Sequence, residues 1–163
     1  NSNTSSSDVS TAAIQLTSPA FTQGGAIPAQ YTCDGANISP PVAWSNLPPN
    51  TKAVALTVDD PDAPLKTWVH WVVYDLPPTT TQLGENLKAG DTLPAGGKQG
   101  TNDFRKLSYG GPCPPSGVHR YFFKLYALDQ PTALKPGANE DDLMQAMDGH
   151  ILARGELMGT YKR

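Results

Sequence analysis

Four stretches of the chain gather residues able to do chemistry. They are "DDPDAP" with Asp60 and Asp62, "TWVHW" with Trp68 and His70, the loop "YGGPCPPSG" at 109–117, and "VHRYF" with His119 and Tyr121. A histidine donates an N–H to an anion, and donates from both ring nitrogens when protonated. Backbone N–H groups of Gly110 and Gly111 add neutral donors, and Pro112 and Pro114 stiffen the loop that carries them. Tyr121 offers a hydroxyl and Trp68 an apolar wall. Asp60 sits badly beside an anion; the role that fits it is to accept a hydrogen bond from a histidine and fix that ring's tautomer. The two histidines follow one local logic, each on an apolar strand and two residues from an aromatic on the same face. That repetition favours a small anion pocket over two hydrogen-bonded core histidines.

The same residues suggest a second chemistry. Asp60, His70 and His119 would suit a two-His-one-carboxylate metal site or an acid/base pair for hydrolysis. No further metal ligand lies nearby in sequence. There is no G-x-S-x-G nucleophile motif, and no base is assigned to Ser108 or Ser116, the neighbouring hydroxyls besides Tyr121. Binding without turnover is the expectation, with no catalytic residue, metal or cofactor. A third account makes the protein an inhibitor acting through a surface loop, though nothing in the sequence marks that loop.

The elements that must position these groups read mostly as strands. "WVHWVVYDLP" (68–77) is rich in Val, Trp and Tyr, and strict alternation would place Trp68, His70, Val72 and Tyr74 on one face and Val69, Trp71 and Val73 on the other. Residues 118–129 form the longest strand candidate, with His119, Tyr121, Phe123 and Leu125 on one face. Shorter strands are expected at 14–18, around 30–32, at 42–45 and at 52–60. Residues 77–117 are a long irregular stretch of the kind that is functional when ordered. The one helix is expected within 139–153, with Asn139 as N-cap, an acidic first turn and Gly149 near its end, continuing as a short helix before a last strand at 156–161. Strands first and helix last give a mainly β, antiparallel sandwich with a short C-terminal helical segment.

Several residues have structural readings. Asp62 caps the turn at "PDAP", and Pro64 is a candidate for a cis bond. Asn102, Asp103 and Phe104 organise the long loop. His150 serves a helix end, Trp44 and Trp71 belong to the core, and Lys88, Lys98, Arg105 and Lys106 are solvated charges.

The chain has 163 residues and a net charge of −3, enough for one domain with a real core and without the clustered Lys and Arg of a nucleic-acid surface. No apolar run is long enough to span a bilayer. Gly 15 and Pro 16 are high for a helical protein. Residues 1–13 are Ser/Thr-rich and read as a mobile tail ahead of a single domain at 14–163. The chain starts without Met, as does a mature form freed of a signal segment or a trimmed one. Its two cysteines, Cys33 and Cys113, cannot form a CxxC motif or a four-ligand zinc site, which leaves one disulfide or two inert thiols.

"DDPDAP", "WVHWVVYDLP", "NDF", "YGGPCPPSG" and "HRYFFKLYALD" occur in an order and spacing that resembles the phosphatidylethanolamine-binding protein family, which includes the Raf kinase inhibitor proteins and bacterial relatives. "YTCDGANISPPVAW" and "GHILARGELMGTYKR" look like the bacterial branch, and the resemblance spans 14–161. It implies a β-sandwich whose small pocket accepts phosphate, a phosphoryl head group or a carboxylate, with a kinase or serine protease as a protein target. Carried over by motif, the pocket residues are Asp60, Trp68, His70, Gly110, Gly111, Pro112, Pro114, His119 and Tyr121. The resemblance places Cys33 and Cys113 in loops at the pocket mouth, which implies a disulfide and an extracytoplasmic home. A cytoplasmic protein with both thiols reduced is the alternative.

Overall fold

Two antiparallel sheets pack face to face in the computed structural model, which describes residues 13–163. The stretch read as a tail lies outside the described residues, Ala13 excepted. The smaller sheet has the order β1-β2-β5, formed by β1 (Gln15–Thr17), β2 (Val42–Ser45) and β5 (Gln82–Leu83). The larger has the order β6-β4-β3-β7-β8, formed by β3 (Ala53–Asp60), β4 (Trp68–Leu76), β6 (Lys98–Gln99), β7 (Val118–Leu128) and β8 (Ile151–Lys162). Leu16, Trp44 and Leu83 of the small sheet meet Leu56, Val58, Trp71, Val73, Phe123 and Leu125 of the large one in the main core.

The large sheet is covered on its other face too. Helix α1 (Glu140–Met147) lays Leu143 and Met147 over Ala55, Val69, Val72, Tyr74 and Tyr126. Its start follows from local chemistry: Asn139 accepts from the backbone N–H of Asp142, and the Asp142 carboxylate accepts from the backbone N–H of Asn139. Burial on both faces explains why β3 is buried at every position, Asp59 and Asp60 included.

Four expectations need correcting. Residues 29–31 form a 3-10 helix instead of a strand near 30–32, because Pro28 and Thr32 close a tight turn there. The helical segment ends at Met147; Gly149 takes φ +81°, and the chain goes directly into β8, whose length comes from pairing with β7 along its whole run. Lys98 is not a solvated charge: half-buried, it donates to Asp75 Oδ2 at 3.1 Å and to the Leu134 carbonyl at 2.8 Å. The bond before Pro64 is trans, as is every peptide bond among the described residues.

The alternation along β4 is also broken. Val58 pairs with Trp71 but Asp59 pairs with Val69, so His70 is an extra residue bulged out of the ladder. A second shift lies between the pairs Val54–Leu76 and Leu56–Val73. In consequence Val69, Val72 and Tyr74 face α1, while Trp71, Val73 and Leu76 face the main core. Along β7 the alternation is regular: Tyr121, Phe123 and Leu125 face the main core and Tyr126 the helix.

Beneath the start of α1, Asp59 Oδ1 is buried without a hydrogen-bond donor, and Glu140 at the first position of the helix is its carboxyl neighbour. Burial first, then the adjacent Asp59, pushes the Glu140 carboxyl well above the usual carboxylate range. Protonated, Glu140 can donate to Asp59 and so help hold α1 to the sheet. An acid whose folded pKa is raised binds its proton in the folded chain and releases it in the unfolded one, so stability falls as pH rises through the ordinary glutamate range toward the raised value. Glu140→Gln should then stabilise the protein at pH 8 by on the order of 1 kcal/mol after allowance for partial exposure, and change little at pH 4. Thermal unfolding of the two proteins at both pH values checks this.

Candidate functional site

Asp60 at the end of β3, Trp68 and His70 at the start of β4, and His119 and Tyr121 at the start of β7 come together on adjacent strands, at one end of the large sheet. They line a cavity of about 350 Å³ with Ala63, Pro64, Leu65, Phe104, Cys113, Pro114 and Pro115.

Each imidazole in it is held by the protein through one ring nitrogen. His70 Nδ1 lies 2.6 Å from the Gly110 carbonyl, which can only accept, so Nδ1 carries the proton and Nε2 is the nitrogen left for a ligand. Burial lowers the His70 pKa, opposed by the Gly110 carbonyl and by Asp60. His119 Nδ1 lies 2.6 Å from Asp60 Oδ2, which again leaves Nε2 free. The other Asp60 oxygen accepts from the Asp62 backbone N–H at 2.8 Å, so the carboxylate is spent inside the protein. Tyr121 is 1% exposed, and its hydroxyl is buried without a partner. Its ring stands edge-on to His70 at 5.2 Å and stacks with His119 at 6.5 Å. Burial, and then Asp60, raises the Tyr121 pKa, so the phenol stays a donor.

The Gly-Pro loop plays a different part from the one its motif suggests. Pro114 lines the cavity, but Gly110, Gly111 and Pro112 stand behind the wall. The Gly110 N–H donates to the bulged His70 carbonyl at 2.9 Å, returning the bond its own carbonyl receives from the ring. The Gly111 N–H donates to Asn37 Oδ1, and the Pro112 carbonyl accepts from the Cys33 N–H. These N–H groups are thus used within the protein rather than offered to a ligand. A Cβ on Gly110 would lie 2.5 Å from the Phe104 ring and one on Gly111 2.2 Å from the Tyr31 carbonyl, so both positions need glycine for close packing. Cys33 and Cys113 form a disulfide that joins this loop to the 3-10 turn.

Some site residues escaped the motif reading. Phe104 meets Trp68 edge-on at 5.6 Å and His70 at 5.3 Å, and forms part of the cavity wall. Its "NDF" setting was legible only as loop organisation, because no pattern tells a loop aromatic which way to point. Leu65, fully exposed at φ +77°, and Pro64 and Pro115 complete an apolar rim. Asp62 does not cap its turn; its carboxylate takes Arg120 through Nε at 2.8 Å and a terminal nitrogen at 2.9 Å. That guanidinium holds the Asp62 carboxyl down at about 2. Ser108 and Ser116 do not line the cavity. Among the described residues, no three His, Cys, Asp or Glu groups are arranged to hold a metal ion.

The family model for phosphatidylethanolamine-binding protein matches residues 17–162. The chain belongs to that family. It is 53% identical over 150 residues to a UPF0098 protein of Methanothermobacter thermautotrophicus, covering 92% of this chain and 99% of that one. A UPF0098 protein of Aquifex aeolicus is 47% identical, with 93% and 90% covered. Among solved structures, a phosphatidylethanolamine-binding protein homolog from Chlamydia trachomatis, CT736, superposes with TM-score 0.86 at 42% identity, covering 93% of this chain and 98% of that one. Escherichia coli YbcL, described as a new member of the mammalian family, also gives 0.86, at 34% identity, with 93% and 99% covered.

Asn102 ties the site together. It is 4% exposed, donates to the His70 and Ser108 carbonyls, and accepts from the backbone N–H groups of Phe104 and Lys106. Asn102→Ala would orphan several buried groups, at a cost of about 2–4 kcal/mol by the usual penalty for unpaired polar atoms. Denaturant unfolding, read by a lowered midpoint with unchanged slope, measures that loss.

Proposed function

We propose that this protein binds a small anion, a phosphate, phosphoryl head group or carboxylate, on His70, His119 and Tyr121. The observation that carries the reading is the buried, unpartnered Tyr121 hydroxyl beside two imidazoles whose Nδ1 atoms are already bonded. A buried donor without a partner costs free energy unless a ligand supplies the acceptor. The apolar rim of Trp68, Phe104, Pro64 and Leu65 suits the organic part of a phosphoryl or carboxylate compound. Capture of such a group would let the protein modulate a kinase or protease that carries or competes for it. An exposed disulfide suits an extracytoplasmic setting. Turnover is not expected, because the phenol of Tyr121 is hard to ionise and no other hydroxyl lines the cavity.

None of the lining residues is Lys or Arg, so positive charge reaches the site only by protonation of an imidazole. The free His70 ring has a lowered pKa, and an anion on Nε2 would raise it again. Binding at neutral pH should then take up a proton, and affinity should fall as pH rises through the bound-state pKa. Calorimetry with sulfate, whose own charge is constant, in buffers of different ionisation enthalpy reads this uptake; binding independent of both pH and buffer would refute the assignment to His70.

His119→Ala removes one charge-assisted bond and should weaken phosphate about ten- to a hundredfold. His150→Ala should leave the affinity unchanged, since His150 pairs with Asp129 outside the cavity. Phosphate titration of the three proteins, with near-UV circular dichroism to show intact folds, separates the pocket from a general effect of histidine loss.

A further inference from the structure

The disulfide reaches the pocket wall at Cys113 and fastens one stretch of that wall, the span from Cys113 to Pro115. Up to Pro112 the Gly-Pro loop is held by several bonds: Gly110 to His70, Gly111 to Asn37, Pro112 to Cys33, and the Tyr109 hydroxyl to the Tyr31 carbonyl. Beyond it, the next backbone bonds join Gly117 to Arg163. Between these anchors lie Cys113, Pro114 and Pro115, which line the cavity, and two of the three have no N–H to give. The bond from Cys113 to Cys33 fixes this span.

That bond is open to attack. Cys113 is exposed and Cys33, the sulfur to be attacked, is half-buried; a terminal nitrogen of Arg163 lies 3.4 Å from Cys113 Sγ and 3.8 Å from Cys33 Sγ. Asp34, itself bonded by the Tyr161 hydroxyl, holds the same guanidinium at 3.4 Å. A cation beside a sulfur stabilises the thiolate and makes it a better leaving group. The shorter distance favours Cys113 as the sulfur that leaves.

We propose that the Cys33–Cys113 bridge is a thiol-exchange switch that sets the pocket's hold on its anion; this rests on the anion-binding reading above. A dithiol reductant supplies the attacking thiolate, which bonds to Cys33 Sγ while the S–S bond breaks and Cys113 leaves with the electron pair. The second thiolate of the reductant then displaces Cys33 from the mixed disulfide. The reductant ends as a disulfide and the protein as two thiols, with protons exchanged through solvent. Reduction frees the span 113–116, so Pro114 and Pro115 no longer close the cavity over the histidines.

The test uses the whole chain, inorganic phosphate and dithiothreitol. Calorimetry on oxidised protein, on reduced protein freed of reductant, and on reoxidised protein should show phosphate affinity falling about tenfold on reduction, as loss of preorganisation predicts, and returning on reoxidation. Near-UV circular dichroism should show the reduced chain still folded. The Cys33→Ser/Cys113→Ser protein should match the reduced affinity and ignore dithiothreitol. Arg163→Gln should slow reduction about threefold or more through the poorer leaving group, with phosphate affinity of the oxidised protein unchanged. Equal phosphate affinity in oxidised and reduced folded protein overturns the switch while oxidised binding stands. Loss of the fold on reduction also overturns it, making the bridge a structural staple. Failure of the oxidised protein to bind phosphate overturns the anion-binding reading itself, and the switch with it.

Discussion

The site depends on one irregularity in β4. His70 is the extra residue of a bulge, opposed to no residue of β3. A bulged residue leaves the ladder, so its side chain and carbonyl can be aimed elsewhere. Here the ring bonds the Gly110 carbonyl and the freed His70 carbonyl accepts from the Gly110 N–H and from Asn102. This reciprocal pair ties the Gly-Pro loop to the sheet and fixes the ring's tautomer together. It also restores Trp71 to the main core, where its indole N–H reaches Gln99. Without the extra residue, a polar ring and the tryptophan after it could not both face the same side of the sheet.

The second histidine is held by a different device with the same result. Asp60 gives one oxygen to His119 and the other to the Asp62 backbone, and Asp62 in turn binds Arg120. The Asp62–Arg120 pair thus lies outside the lining, while the Asp60 carboxylate lies in it with both oxygens bonded within the protein. Lys66 is paired with Asp103 in the same way, 3.2 Å away. What remains for a ligand is two Nε2 atoms, a phenol and an apolar rim. With both imidazoles neutral the lining carries the Asp60 carboxylate, and positive charge enters only when an imidazole takes up a proton, unlike a site built on arginine or lysine.

Long-range contacts hold this arrangement more than local ones. Residues of the β3–β4 hairpin meet those of β7, distant in sequence, and burial of the large sheet on both faces fixes their register. The disulfide, across a separation of 80 residues, joins two loops with little regular structure. Asn102 serves the loop after β6 in the same way, through four hydrogen bonds from one side chain.

Much of this was legible from the chain alone. The alternation of β7, the N-cap at Asn139 and the strand cores at 42–45, 53–60 and 68–76 follow from local periodicity and capping chemistry, which a sequence records directly. Motifs in series marked Asp60, Trp68, His70, Pro114, His119 and Tyr121, all of which the fold brings to one cavity. Tertiary structure alone decided the rest. A bulge costs one unpaired residue and is chosen by packing on both faces, so strict alternation put Val72 and Tyr74 on the wrong side. Gly110, Gly111 and Pro112 lie behind the wall because their hydrogen bonds are taken by His70, Asn37 and Cys33, partners distant in sequence. Asp62 found Arg120 across a strand gap, and Phe104 turned inward because Trp68 and His70 offered it edges to pack on. Sequence patterns carry what neighbours along the chain impose; which loop atom meets which strand atom is settled only when the sheets close.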